Sequence, residues 1–334
     1  MDIGLRLEQE LEQAVGHAAG GDCPPLLSQA LRHAVFPGGA RIRPRLVLAV
    51  SNACATGNAT ATTQNASRIA TATTTRDARL NASDAQPNAT QNATATTQNA
   101  TFATQNASAA IAFASAVEIL HCASLVHDDL PCFDNSELRR GKPSVHAAFG
   151  ERIAVLTGDA LIVLGFEWLA LRTERVAQLS GILARCVGGP TGICAGQAWE
   201  CEQAIDIVRY QRAKTGALFA ACTMGGAASQ GYEPFAWQKL GFAIGEAFQV
   251  ADDLRDVAGS AEALGKPVHQ DEANHAPNFV AELGFDGAMA HFEELLAAAR
   301  AAIPDCPGRE ALAKQIEGVS RSLVTGLSAR TVAA

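Results

Sequence analysis

A chain of 334 residues, 48% hydrophobic and 18% charged, can bury a large core as one big helical domain or two smaller ones, and its make-up is that of a soluble globular protein. Its net charge of -8 leaves no global field for phosphate backbones, so nucleic acid is not an expected partner and any anion must be held by a local cluster. The nine cysteines are scattered without a C-x-x-C pair, which argues for buried reduced thiols over a zinc site or disulfide framework.

Residues 1 to 34 are expected to be helical, with Leu5, Leu7, Leu11 and Val15 on a helical period and a break at Gly20 to Pro25. The first residues contain no long apolar run, and no stretch reaches the ~18 uninterrupted apolar residues of a membrane span. The expectation is a cytoplasmic protein that is not integral to a membrane. Phe36-Pro-Gly-Gly-Ala-Arg-Ile-Arg-Pro-Arg45 follows, a turn with three arginines. Gly38 and Gly39 permit close backbone approach to an anion, and Arg41 and Arg43 are candidates for bidentate phosphate contacts. A basic loop that merely opens the next helix fits those residues equally well.

Between Ser51 and Ala109 the composition changes to Asn, Ala, Thr and Gln. Gln-Asn pairs at Gln91, Gln98 and Gln105 recur every seven residues, but no apolar residues share that repeat, so there is no seam to bury. The tract, at about 55–107, reads as a low-complexity insertion, mostly disordered or loosely helical. Its Asn-x-Ser/Thr sequons are read as a by-product of the repeat.

The apolar run Ala116 to Val126 predicts a buried helix that ends in His127-Asp-Asp-Leu-Pro-Cys-Phe-Asp134, with Arg139, Arg140 and Lys142 close behind. Carboxylates at a helix C-terminus are electrostatically unfavourable by a few tenths to ~1 kcal/mol, so a cation should offset them. Cation-seeking and anion-seeking groups side by side suit a metal-bridged polyphosphate; the plainer alternative is a solvated acidic helix end before a basic loop. His121 and His127 read as packing residues. Further helices are expected over 151–171 and 174–204. Lys214 and Thr215 punctuate an apolar helix, where a lysine must find a partner or reach solvent.

Phe242 to Asp256 forms a second Asp-rich helix end, with Asp252 and Asp256 one turn apart on one face. The two ends read as two walls of one Mg²⁺ site, because Mg²⁺ takes one or two carboxylates plus substrate phosphate oxygens and water. Lys266 follows as a further cation, and helices near 280–303 and 309–329 complete the chain.

These motifs, taken together, resemble the trans-isoprenyl diphosphate synthases, most closely the bacterial geranylgeranyl diphosphate synthases of carotenoid and bacteriochlorophyll pathways. The resemblance rests on Asp128-Asp129-x-x-x-x-Asp134 with Arg139-Arg140-Gly141, on Asp252-Asp253-x-x-Asp256, and on Gly196-Gln-Ala-Trp-Glu200 and Lys214-Thr-Gly-Ala-Leu-Phe219. It covers nearly the whole chain apart from the low-complexity tract. It implies an all-α bundle around a deep central cavity, a single domain over 1–334, and a homodimer. Asp128, Asp134 and Asp252 would bind Mg²⁺, about three ions with substrate bound, with Asp129 and Asp256 supporting them directly or through water, so that Asp129 counts among the catalytic residues and Asp256 among the metal ligands. Arg139, Lys214 and Lys266 would hold an allylic diphosphate, Thr215 and Gln249 would line the reaction centre, and Arg43 and Arg140, with Arg41 beside them, would hold isopentenyl diphosphate. The implied reaction extends dimethylallyl, geranyl or farnesyl diphosphate to geranylgeranyl diphosphate.

In this family the residues four and five places before the first Asp point down the cavity, and here they are the small Ser124 and Ala123, which favours a C20 product. The same small residues also suit close helix packing. Three positions depart from the pattern: Ala40 stands where a Lys is usual, His275-Ala276 replaces a later Gly-Lys, and no histidine occurs from Ser51 to Ile119, near where many relatives place one for isopentenyl diphosphate. A non-catalytic regulatory homologue, a farnesyl diphosphate synthase and a terpene cyclase are the alternatives. Both intact Asp motifs speak against the first, and the arginine turn at Gly38 to Pro44 fits a second diphosphate that a cyclase does not need.

Overall fold

The computed structural model describes residues 3–36, 38–55, 89–204, 206–258, 279–325 and 327. Lys266 and the His275-Ala276 pair lie outside these residues, as does the tract over 56–88. In order, the helices are α1 (Ile3–Ala18), α2 (Pro25–Val35), α3 (Ile42–Ala55), α4 (Ala89–Asp128), α5 (Val145–Phe149), α6 (Glu151–Arg172), α7 (Val176–Val187), α8 (Ile193–Trp199), α9 (Ile207–Gln211), α10 (Ala217–Ser229), α11 (Gln238–Ala258), α12 (Phe279–Ala302) and α13 (Arg309–Val324). A π-helical turn, Arg212–Gly216, joins α9 to α10, and a 3₁₀ turn, Pro234–Trp237, precedes α11. The one β-pairing among the described residues is a two-residue hairpin, β1 (Leu138–Arg139) with β2 (Lys142–Pro143). The expected all-α class is the observed one.

The bundle is built around α4. From Ala109 to Leu120 its side chains are buried on every face, as a helix surrounded by other helices requires. Small residues let those neighbours close in. A Cβ on Gly225 of α10 would fall 1.9 Å from the Phe113 ring, and one on Gly165 of α6 would meet Leu120 at 3.0 Å. A second cluster joins α11, α12 and α13 through Val250, Leu254, Phe292, Leu296 and Val324.

The polar tract does not end where its composition suggested. Residues 89–107 continue α4 without a break, and the asparagine of the last Gln-Asn pair is inside the fold: Asn106 is buried and its Oδ1 accepts from Arg175 at 3.3 Å. Once the apolar half of α4 is packed, each added residue extends an existing helix, which is far less costly than nucleating one.

Two helical stretches, 103–128 and 151–172, are long and apolar enough to cross a membrane by length and composition alone. Most of the first is buried in the bundle, whereas α6 keeps Val155, Leu156, Val163 and Leu171 exposed.

Candidate active site

The helix ends of α4 and α11 meet at one cavity of about 410 Å³, whose walls include Asp128 and Asp252, Arg139 and Arg140, Lys214 and Thr215, and Gln249. A cavity of about 470 Å³ on the far side of Gln249 does not join the two Asp-rich ends. Their juxtaposition follows from how each segment stops. α4 terminates at Asp128, and the loop behind it folds back to cap the last turn: Asp134 N donates to Asp128 O at 3.0 Å and Ser136 N to Asp129 O at 3.1 Å. That return brings Asp134 beside Asp128. Crowding follows: partial burial, and then the Asp128 charge, push the Asp134 carboxyl up to about 6.

Asp128 and Asp129 cannot face the same way, because neighbours on a helix diverge by ~100°. Asp128 Oδ1 faces the cavity, accepts from Gln197 Nε2 at 2.5 Å and lies 3.8 Å from Lys214 Nζ. Asp129 turns inward, is 2% exposed, and grips the Arg139 guanidinium with both oxygens. Asp129 therefore supports Arg139 from behind and does not line the cavity, which differs from the direct place in the site expected of a catalytic residue. Arg140 and Gly141 both have positive φ, 54° and 75°, as the two-residue type I′ hairpin turn demands. The turn aims Arg140 into the cavity, while Lys142 anchors the hairpin by donating to His33 O and Phe36 O at the end of α2.

On the opposite wall the π-helical turn carries Lys214 and Thr215; such turns recur at functional sites because they locally change which residues face a groove. Burial opposes the Lys214 ammonium, but Asp128, Tyr210 and Glu200 outweigh it and hold its pKa above the ordinary value. Thr215 Oγ1 donates to Gln249 Oε1 at 3.1 Å and Gln249 Nε2 to Asp253 at 3.0 Å, so both side chains are oriented by a hydrogen-bonded chain. Asp252 lines the cavity and is held by Arg255 at 2.6 Å. Asp256, expected to support the metals directly or through water, is buried one turn further on and does not line the cavity.

The basic end of the cavity differs from the expectation in two ways. Arg41 is not there. Its side chain is 3% exposed and reaches Glu8 at 2.9 Å, Glu118 at 2.7 Å and Val35 O at 3.0 Å, with φ at 52°. It ties α1, α2 and α4 together and does not line the cavity. A Cβ on Gly38 would overlap its guanidinium at 2.0 Å, so Gly38 makes room for Arg41, not for an anion. Arg43 does face the cavity, stacked 4.8 Å from the Phe219 ring centroid, and its buried Nε has no hydrogen-bond partner among the described residues.

Beside Arg43 stands His121, which the sequence reading took as packing. Its Nε2 is 3.2 Å from Arg43 Nη1. Burial, then Arg43 and Arg140, drive its pKa well below the usual histidine value, so the ring is neutral. Arginine has only donors, so Nε2 accepts and Nδ1 carries the proton. The window from Ser51 to Ile119 has no histidine, and His121 stands at the cavity two residues beyond it. The signal was available in the spacing: Asp128, Ser124 and His121 fall on one helical stripe. Gln197 and Glu200 were visible only as parts of a motif.

Ser124 lines the cavity about 6 Å of helix rise below Asp128. Ala123 is buried in the core instead of at the wall, so only one of the two expected chain-length positions touches the cavity. Among the described residues no three Asp, Glu, His or Cys side chains converge closely enough to hold a metal by themselves. The donor set is nonetheless one that Mg²⁺ fits: hard carboxylate oxygens on two walls, needing substrate phosphate oxygens to complete an octahedron.

Comparison with known proteins agrees with this geometry. The chain is 44% identical to the geranylgeranyl diphosphate synthase of Cereibacter sphaeroides over 97% of both chains, and 43% identical to that of Rhodobacter capsulatus over 95% of this chain and 94% of the other. The crystal structure of a geranyltransferase from Helicobacter pylori complexed with magnesium and isoprenyl diphosphate superposes with a TM-score of 0.67 at 26% identity, covering 96% of this chain and 99% of that one. The profile of the polyprenyl synthetase family matches residues 88–303. With two Asp-rich helix ends and a cluster of guanidinium groups converging on one cavity, the chain belongs to the polyprenyl synthetase family.

Proposed function

We propose that the protein is an Mg²⁺-dependent prenyltransferase that condenses isopentenyl diphosphate with allylic diphosphates to geranylgeranyl diphosphate, releasing diphosphate. The observation that supports this reading is that one cavity carries two separate groups of side chains suited to a diphosphate. The first is the wall of Asp128 and Asp252 with Lys214 and Arg139, with Asp134 close behind Asp128, suited to a metal-bridged allylic diphosphate. The second is the cluster of Arg43, Arg140 and His121, where a buried Arg43 Nε awaits an acceptor. A terpene cyclase would have no use for the second.

Bound Mg²⁺, about three ions in this reading, would draw negative charge off the departing diphosphate. Lys214 and Arg139 donate to the same oxygens, and their fixed positions stabilise charge as it develops without reorganisation. The Thr215 and Gln249 oxygens present dipoles to the allylic cation that remains. Arg43, Arg140 and the Nδ1–H of His121 place isopentenyl diphosphate so that its double bond meets that cation, and the released diphosphate is the base for the final proton. Lys266 belongs to the same reading as a further cation for the allylic diphosphate.

The test is elongation itself. Purified protein with Mg²⁺, labelled isopentenyl diphosphate and each of dimethylallyl, geranyl and farnesyl diphosphate should give C20 product. A protein that elongates none of the primers is not this enzyme. Product length follows from the small residue at the wall. Ser124→Phe should shift the main product from C20 to C15 by filling the space one turn below the metal wall, and chromatographic sizing of the products checks it.

The homodimer is part of the same proposal, supported by the apolar stripe Val155, Leu156, Val163 and Leu171 on the outer face of α6, whose inner face is already packed on α4. Val163→Lys should convert a dimeric sedimentation profile to a monomeric one with little change in helicity. A monomeric wild-type protein would refute the assignment of that face.

A further inference from the structure

The Lys214 ammonium has two carboxylates in reach at the cavity mouth and is not shared evenly between them. Nζ lies 2.6 Å from Glu200 Oε1 and 3.8 Å from Asp128 Oδ1. The same Glu200 oxygen accepts the Tyr210 hydroxyl at 2.7 Å, while Asp128 takes its direct hydrogen bond from Gln197. Backbone packing sets this geometry. A Cβ on Gly196 would fall 2.5 Å from Lys214 Cα, so α8 and the π-helical turn touch backbone to backbone, one turn of helix before Glu200. Glu200 caps α8, its N–H donating to Gln197 O, and does not itself line the cavity. It stands behind the lysine.

We propose that Glu200 is a positioning residue: it holds Lys214 back from Asp128, so that the Asp128 carboxylate stays open to Mg²⁺ and the allylic diphosphate, with Tyr210 steadying the Glu200 carboxylate. This rests on the reading of the cavity as an allylic diphosphate site. The physical reason is competition for one ammonium. A charge-assisted hydrogen bond at 2.6 Å is stronger than an ion pair at 3.8 Å, so Glu200 is the resting place of Nζ. Take away the Glu200 charge and Asp128 becomes the stronger attraction. A lysine closed directly onto Asp128 occupies the carboxylate that a divalent cation needs, and the cation must displace it. Glu200 thereby tunes metal affinity without touching metal or substrate.

Glu200→Gln keeps the volume and one hydrogen-bonding oxygen but removes the charge. Calorimetric titration of Mg²⁺ with the unreactive analogue farnesyl thiolodiphosphate should then show binding weakened about tenfold, the size expected for losing one hydrogen bond to a charged group. The Mg²⁺ concentration for half-maximal elongation should rise by a similar factor, while the KM for isopentenyl diphosphate and the melting temperature stay as in the wild type. In a Lys214→Met background, which has no ammonium to hold back, Glu200→Gln should change analogue binding less than about twofold. Tyr210→Phe, a gentler change, should act in the same direction by about threefold. Unchanged Mg²⁺ and analogue binding in Glu200→Gln, or an equal loss with and without Lys214, overturns the role of Glu200 while leaving the wild-type site intact. No analogue binding by the wild type itself overturns the allylic-site reading, and this inference with it.

Discussion

Asp128→Asn is expected to lower kcat by at least about 10²- to 10³-fold, the range seen when one preorganised electrostatic group is removed from a reaction centre. Stability should not fall with it. In the metal-free protein Asp128 sits close enough to Asp134 to raise that carboxyl, so neutralising Asp128 relieves a repulsion. What is lost locally is a carboxylate acceptor for Gln197 and an attraction for Lys214, and the asparagine oxygen replaces the former. The expected signature is an inactive variant that melts at or slightly above the wild-type temperature, with the Asp134 carboxyl back nearer the ordinary range. Steady-state kinetics at saturating Mg²⁺, with a thermal melt in the same buffer, reads both. A variant that keeps more than about a tenth of the wild-type kcat would refute Asp128 as part of the charge-bearing wall.

Arg41→Ala should do the reverse, destabilising the fold by about 3–5 kcal/mol, because breaking a buried ion pair strands the charge left behind. Glu118 is 2% exposed and would keep a carboxylate with no cation in contact. Glu8, about half exposed, would turn to water and contribute little. For a chain of this size the melting temperature should fall by roughly 10 °C. Replacing both partners, Arg41→Met with Glu118→Met, should recover most of the loss, since an apolar pair of similar volume leaves no charge stranded. Arg41 touches no part of the cavity, so whatever folds should keep its KM for isopentenyl diphosphate. An Arg41→Ala protein of normal stability but raised KM would restore Arg41 to the substrate site.

Arg41 and Arg43 show where sequence reasoning reached its limit. Both stand in one glycine-flanked turn and both suit a phosphate, yet one faces the cavity and the other is a buried strut. What separates them is a pair of acids, Glu8 and Glu118, 33 and 77 residues away along the chain. No local pattern reports a partner at that distance. The Asp motifs were more legible because their chemistry is local: like charges crowded at helix ends after apolar runs need a cation wherever the chain goes. Even there, the division between Asp128 in the cavity and Asp129 behind it is a matter of helix rotation, readable in principle from the 100° step but only once the buried face of α4 is known.

The tract of Asn, Thr, Ala and Gln makes a related point. Composition alone saw no face to bury up to residue 107, and Asn106 is nonetheless inside, because the apolar half of α4 propagates helix into it and Arg175 offers its amide a partner.

By itself, the sequence determined the helical class, the two acidic helix ends, the basic turn and the family to which they belong, because these depend on periodicity and on residue types clustered within a dozen positions. Only the tertiary structure decided that His121 joins Arg43, that Lys214 leans on Glu200 before Asp128, that Ser124 and not Ala123 meets the cavity, and that Arg41 is a strut. Each of those outcomes turns on which way a side chain faces and what lies across the gap. That is set when helices pack against one another, after local propensity has done its part.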